Sequence, residues 1–112
     1  MSWIPLTRSD QLDEIDRNSF DKPVLIYKHS TRCSLSNIAF HRIEGLVRDL
    51  PTYFLDLIKH RDLSEEIASR YKVYHESPQL LLIRDGECVY EASHMDIHPD
   101  AIRDQVSTFP SG

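Results

Sequence analysis

The stretch Val24–Ile43, VLIYKHSTRCSLSNIAFHRI, decides the fold. With Pro23 ahead of it, its first part, PVLIYKH, is a nearly continuous run of apolar, β-branched and aromatic residues. Such a run predicts a strand buried on both faces, as in a parallel sheet. The run stops at a short polar turn that carries Cys33. From Ser34 onward Leu35, Ile38, Ala39, Ile43, Leu46, Val47 and Leu50 recur at steps of three and four, which predicts a long helix with one apolar stripe. Pro51 ends that helix by disfavouring the helical conformation at the residue before it.

Working outward, the same alternation continues on both sides. Trp3–Leu6 (WIPL) reads as a short edge strand, because Pro5 cannot donate to a central ladder. Ser9–Asn18 reads as an amphipathic helix, with acids in its first turns and Leu12 and Ile15 three apart. Thr52–Leu57 (TYFLDL) is a further strand. Asp62–Val73 is a helix with Leu63, Ile67 and Tyr71 at four-residue steps, acids early and bases late. Gln79–Ile83 and Cys88–Ala92 flank Arg84–Glu87, where Asp85-Gly86 is a strong hairpin signal. The last helix, about Pro99–Phe109, carries proline in its first turn and Ala101, Ile102, Val106 and Phe109 on one side. The order β-α-β-α-β-α-β-β-α predicts an α/β fold. Its sheet is mixed, a parallel core plus an antiparallel C-terminal hairpin, with helices on both faces.

The chain has 112 residues, which suits a single domain over 1–112. Hydrophobic residues are 40% and charged residues 28% of the chain, ordinary values for a globular domain. The formal net charge of -5 argues against nucleic acid as a partner, since phosphate binding needs a basic surface. The first residues show no signal-peptide pattern, and no apolar run is long enough to span a membrane, so the expected location is cytoplasmic. Two cysteines, Cys33 and Cys88, are too few for a disulfide framework or a four-cysteine zinc site.

Cys33 sits where a buried strand gives way to a long helix. A helix N-terminus exposes unpaired N–H groups and carries partial positive charge, both of which favour thiolate, the nucleophilic form. Arg32 adds a neighbouring cation. In a Cys-x-x-Cys site the second thiol resolves the mixed disulfide. Here Ser36 holds that place, and it can offer only a hydrogen bond toward the first sulfur. Cys88 begins the second hairpin strand. If Gln79 lies near the active end, Cys88 starts about 16 Å away at roughly 3.3 Å per residue, beyond disulfide reach. Cys88 therefore reads as a packing residue of the strand.

The segments KHSTRCSLS, HESPQ and DGE together resemble the YtxJ-like monothiol bacilliredoxin family, a thioredoxin-fold group, over nearly the whole chain. The family's usual active stretch is close to Thr-Cys-Pro-Ile-Ser. This chain has Arg32 before the cysteine and Ser34 in place of proline, and keeps Cys33 and Ser36 in register. The resemblance implies removal of bacillithiol from mixed disulfides on client protein cysteines, with Cys33 as nucleophile and Arg32 and Ser36 in support. It implies substrate contacts at Thr31, Ser34, Ser77 and Pro78, with Pro78 as the cis-proline that faces the active cysteine. No bound cofactor or metal is implied; bacillithiol is the exchanging thiol, and the partners are bacillithiolated client proteins. Two other readings stay open. One is a glutathione-dependent, glutaredoxin-like monothiol protein, whose usual Cys-Gly-Phe-Ser motif Ser34-Leu35 departs from. The other is a non-enzymatic thioredoxin-fold binding or redox-sensing module.

The remaining chemistry-bearing residues form no further motif. His94 and His98 are four apart but precede Pro99 in a loop, and His29 and Cys33 straddle the strand end, so neither pair has zinc-site spacing. The sixth residue after Cys33 is Ala39, which excludes a Cys-x5-Arg phosphatase loop, and no Gly-x-Ser-x-Gly elbow is present. His75, near Pro78, reads as a solvated loop histidine.

Overall fold

The computed structural model describes residues 3–30, 34–47 and 50–107. Five strands and four helices follow the expected order: β1 (Ile4–Pro5), α1 (Asp10–Asn18), β2 (Val24–His29), α2 (Ser34–Val47), β3 (Thr52–Asp56), α3 (Arg61–Tyr71), β4 (Gln79–Arg84), β5 (Glu87–Ser93) and α4 (Pro99–Ser107), with a short 3-10 turn at His94–Asp96. The sheet runs β1-β3-β2-β4-β5. β1 and β2 both pair in parallel with β3, while β4 pairs antiparallel with both β2 and β5. This is the mixed sheet that the sequence predicts.

β2 is the middle strand, and all six of its residues are buried. Alternate side chains of a strand point to opposite faces, so β2 feeds two cores. Val24 and Ile26 pack with Leu12 and Ile15 of α1 and Leu63, Ile67 and Tyr71 of α3. Leu25 and Tyr27 pack with Ala39 and Ile43 of α2 and Ile102 of α4. Each face of the sheet is thus covered by one pair of helices, as buried parallel strands require.

Two details differ from the sequence reading. Ile38 is 45% exposed and lies off the apolar stripe; Phe40 packs inward instead, stacking on Trp3 with ring centroids 4.7 Å apart. α3 stops at Tyr71 because Lys72 takes a left-handed conformation (φ 57°), which turns Val73 back onto the core. The hairpin turn has positive φ at both Asp85 and Gly86, the geometry of a primed turn. Ser19 pins it: its carbonyl accepts from Asp85 N–H at 3.1 Å and its hydroxyl accepts from Gly86 N–H at 2.8 Å. Phe109 and the side chains of Leu35, Leu46 and Val47 lie outside what is described.

Candidate active site

The described segments that flank the expected site fall at one end of the sheet. β2 ends at His29, and α2 begins at Ser34, the residue after Cys33 in sequence. Thr31, Arg32 and Cys33 themselves lie outside the described residues, as do the side chains of Ser34 and Ser36. From the other direction, the Ser77–Pro78 peptide bond is cis. Gln79 follows it and pairs in register with Lys28, so the cis-proline segment sits beside the end of β2. The Pro78 carbonyl accepts from His94 N–H at 3.0 Å. Gln79 Nε2 donates to the Tyr74 carbonyl at 2.9 Å and to Glu91 Oε2 at 3.1 Å, which fixes the loop that leads into Pro78.

The polar chemistry at this end is unusual for a protein interior. Three buried side-chain atoms, His29 Nδ1, Ser77 Oγ and Gln79 Oε1, have no hydrogen-bond partner among the described residues. Buried polar groups are normally satisfied, so their gathering around the strand end and the cis-proline singles this region out. His29 is held in a ring cluster, with centroids 5.2 Å from Phe54 and 5.9 Å from Tyr27 and from Phe40. Burial pushes the His29 imidazole below its ordinary pKa, and the facing Asp56 partly opposes that.

Lys28, next to His29, points to the opposite face. It is completely buried, and its Nζ donates to the Ser64 carbonyl of α3 at 3.2 Å. Burial alone pushes its pKa down to about 8. The Ser64 hydroxyl and His75 Nδ1 share a hydrogen bond of 3.1 Å. Burial and then the Lys28 charge are the largest causes lowering the His75 pKa. His75 is therefore exposed yet anchored, where the sequence suggested a freely solvated loop side chain. Neither Lys28 nor Ser64 stood out in the sequence. The signal was there for Lys28: a lysine inside a strand buried on both faces must itself be buried.

Cys88 lies at the other end. It pairs across the hairpin with Ile83, whereas Gln79, next to the cis-proline, pairs with Ser93. Its thiol donates to the Tyr90 carbonyl at 3.3 Å, and burial pushes it up to about 11, which suppresses the thiolate. Among the described residues no three His, Cys, Asp or Glu side chains form a group that could hold a metal, and no helix is long and apolar enough to cross a membrane.

A family profile described as "Monothiol bacilliredoxin BrxC" matches residues 4–102. The chain belongs to the monothiol bacilliredoxin BrxC family. Solved structures agree with the fold this family implies. One similar protein, described as a candidate oxidoreductase with a thioredoxin fold, is 33% identical over 90% of both chains, with a TM-score of 0.81. A mutant thioredoxin from Halobacterium salinarum matches at TM-score 0.71 with 24% identity, covering 95% of this chain and 88% of its own. Fasciola hepatica thioredoxin matches at TM-score 0.71 with 17% identity, covering 96% and 99%. The α/β architecture is therefore thioredoxin-like, and membership of this bacilliredoxin family supports a thiol redox function.

Proposed function

We propose that the protein is a monothiol thiol–disulfide oxidoreductase that removes bacillithiol from cysteines of client proteins. The Cys33 thiolate attacks the bacillithiol sulfur of the client mixed disulfide. That disulfide breaks, the client cysteine leaves as its thiolate, and a new disulfide joins Cys33 to bacillithiol. A second low-molecular-weight thiol then attacks the bacillithiol sulfur, releasing the Cys33 thiolate and a small disulfide. Electrons balance at each exchange, and no bound cofactor takes part.

The remoteness of Cys88 carries this reading. With its thiol suppressed and its place at the far end of the β4–β5 hairpin, Cys88 does not serve as resolving thiol, so the resolving sulfur comes from solution. In this scheme the first turn of α2 supports the Cys33 thiolate, with Arg32 and Ser36 assisting. Thr31 and Ser34 flank the nucleophile, and Ser77 and the cis-bonded Pro78 shape the groove for the client backbone.

The test is a peptide whose single cysteine carries bacillithiol, incubated with the full chain. The expected result is a bacillithiol adduct on Cys33 by mass, abolished in Cys33→Ser. Undiminished transfer in Cys33→Ser would defeat the proposal. Faster transfer from a glutathione-capped peptide would move the assignment to glutathione-dependent chemistry.

A further inference from the structure

A cavity of about 390 Å³ opens beside the site, lined among the described residues by Leu57, Arg61, Glu65 and His75. It is tied to the site from two directions. Leu57 follows β3 and donates its backbone N–H to the His29 carbonyl at 2.9 Å. His75, bonded to Ser64 on α3, precedes the cis Ser77–Pro78 bond.

The described arginines differ in their ion pairing. Arg8, Arg70 and Arg103 each lie within 4.0 Å of an aspartate, at 3.0, 2.7 and 3.7 Å. Arg61 makes no ion pair among the described residues, although the chain carries a net charge of -5. An unpaired guanidinium offers two parallel donors to a carboxylate. Glu65 lies one helical turn on from Arg61 and lines the same cavity, so the wall presents a cation and an anion together. Leu57 supplies an apolar surface to the same cavity.

We propose that this cavity seats the non-sulfur portion of a carboxylate-bearing low-molecular-weight thiol, its carboxylate on Arg61 and its amino or hydroxyl groups on Glu65. The inference rests on the exchange reaction proposed for Cys33 and adds the part of the protein that tells one small thiol from another. None of its four described lining residues belongs to the cysteine turn, so cap recognition and sulfur exchange use different residues.

Two measurements separate this inference from the reading beneath it. The first compares one peptide capped either by bacillithiol or by the uncharged 2-mercaptoethanol. The expected result is that Arg61→Gln lowers the ratio of the two kcat/KM values about tenfold, the scale of one charge-assisted hydrogen-bonded contact, chiefly through KM for the bacillithiol cap. Arg61→Lys should recover part of the ratio. An unchanged ratio, with transfer intact, overturns the cavity assignment and leaves the Cys33 chemistry standing. The second titrates S-methyl bacillithiol, which cannot exchange, into the full chain and follows the NMR signals of Leu57 and His75. Shifts that Arg61→Gln suppresses support the cavity even if Cys33 transfers nothing; no shift at either residue in the wild-type chain overturns it.

Discussion

Lys28 Nζ donates to the Ser64 carbonyl oxygen across 3.2 Å, and Lys28 has no exposed surface. The middle strand is thereby tied to α3 by a cation held in the interior, two residues from the start of the polar turn that bears Cys33.

The burial of Lys28 makes stability depend on pH in a definite direction. The folded pKa of Lys28 is about 8, while an unfolded lysine titrates near 10.4. Between those values the unfolded chain binds more protons, so this residue's contribution to stability rises with pH across that window and is lost as pH falls through about 8. Lys28→Met removes the cost of burying the charge, and at pH 7 it should stabilise the protein by about 1–3 kcal/mol. The gap between variant and wild type should close from pH 8 to 10.5, the span from the folded to the unfolded pKa. Urea denaturation of both proteins across this range checks it.

α1 and α3 are joined by a network on one carboxylate. Asp16 accepts from Arg70 Nε at 3.0 Å and Nη2 at 2.7 Å, and from the Tyr71 hydroxyl at 2.6 Å. Asp13 accepts from the same guanidinium but is 64% exposed, against 23% for Asp16. Asp16→Asn should cost about 1–3 kcal/mol, because hydrogen bonds to a partly buried charge are lost. Asp13→Asn should cost no more than about 1 kcal/mol, the value of a solvated ion pair. Denaturation midpoints of the two variants provide the comparison, and equal losses would contradict it.

Trp3 packs on the α2 side of the sheet, stacked on Phe40 and edge-on to Phe54 at 5.6 Å. Trp3→Ala should destabilise by about 2–4 kcal/mol, combining lost apolar burial with the aromatic pairs. Trp3→Phe should recover at least half of that loss. Thermal unfolding followed by far-UV circular dichroism reads both variants, which lack the chain's single tryptophan.

Most of the architecture was legible because it is written in local periodicity. The apolar run before the cysteine, the 63-67-71 stripe and the Asp85-Gly86 pair each had one physical interpretation, and the structure has all three. Long-range packing was not legible in the same way. Ile38 and Phe40 are both apolar and two apart, and the rings of Trp3, Tyr27, His29 and Phe54, from three segments of the chain, receive Phe40. The site was half legible. The cis-proline and the turn cysteine stand out from residue type and from the family resemblance. Lys28, Ser64 and His75 come from three elements remote in sequence, and their association emerges only when β2, α3 and the loop before β4 are brought together.

β2 carries a last consequence. Its terminal residues, Lys28 and His29, lean into separate halves of the molecule, one against α3 and the other among the rings beside α2. Repacking either half therefore reaches the start of the segment that leads to Cys33. Interior substitutions on either side can reposition the end of β2 with the sequence of the turn itself unaltered.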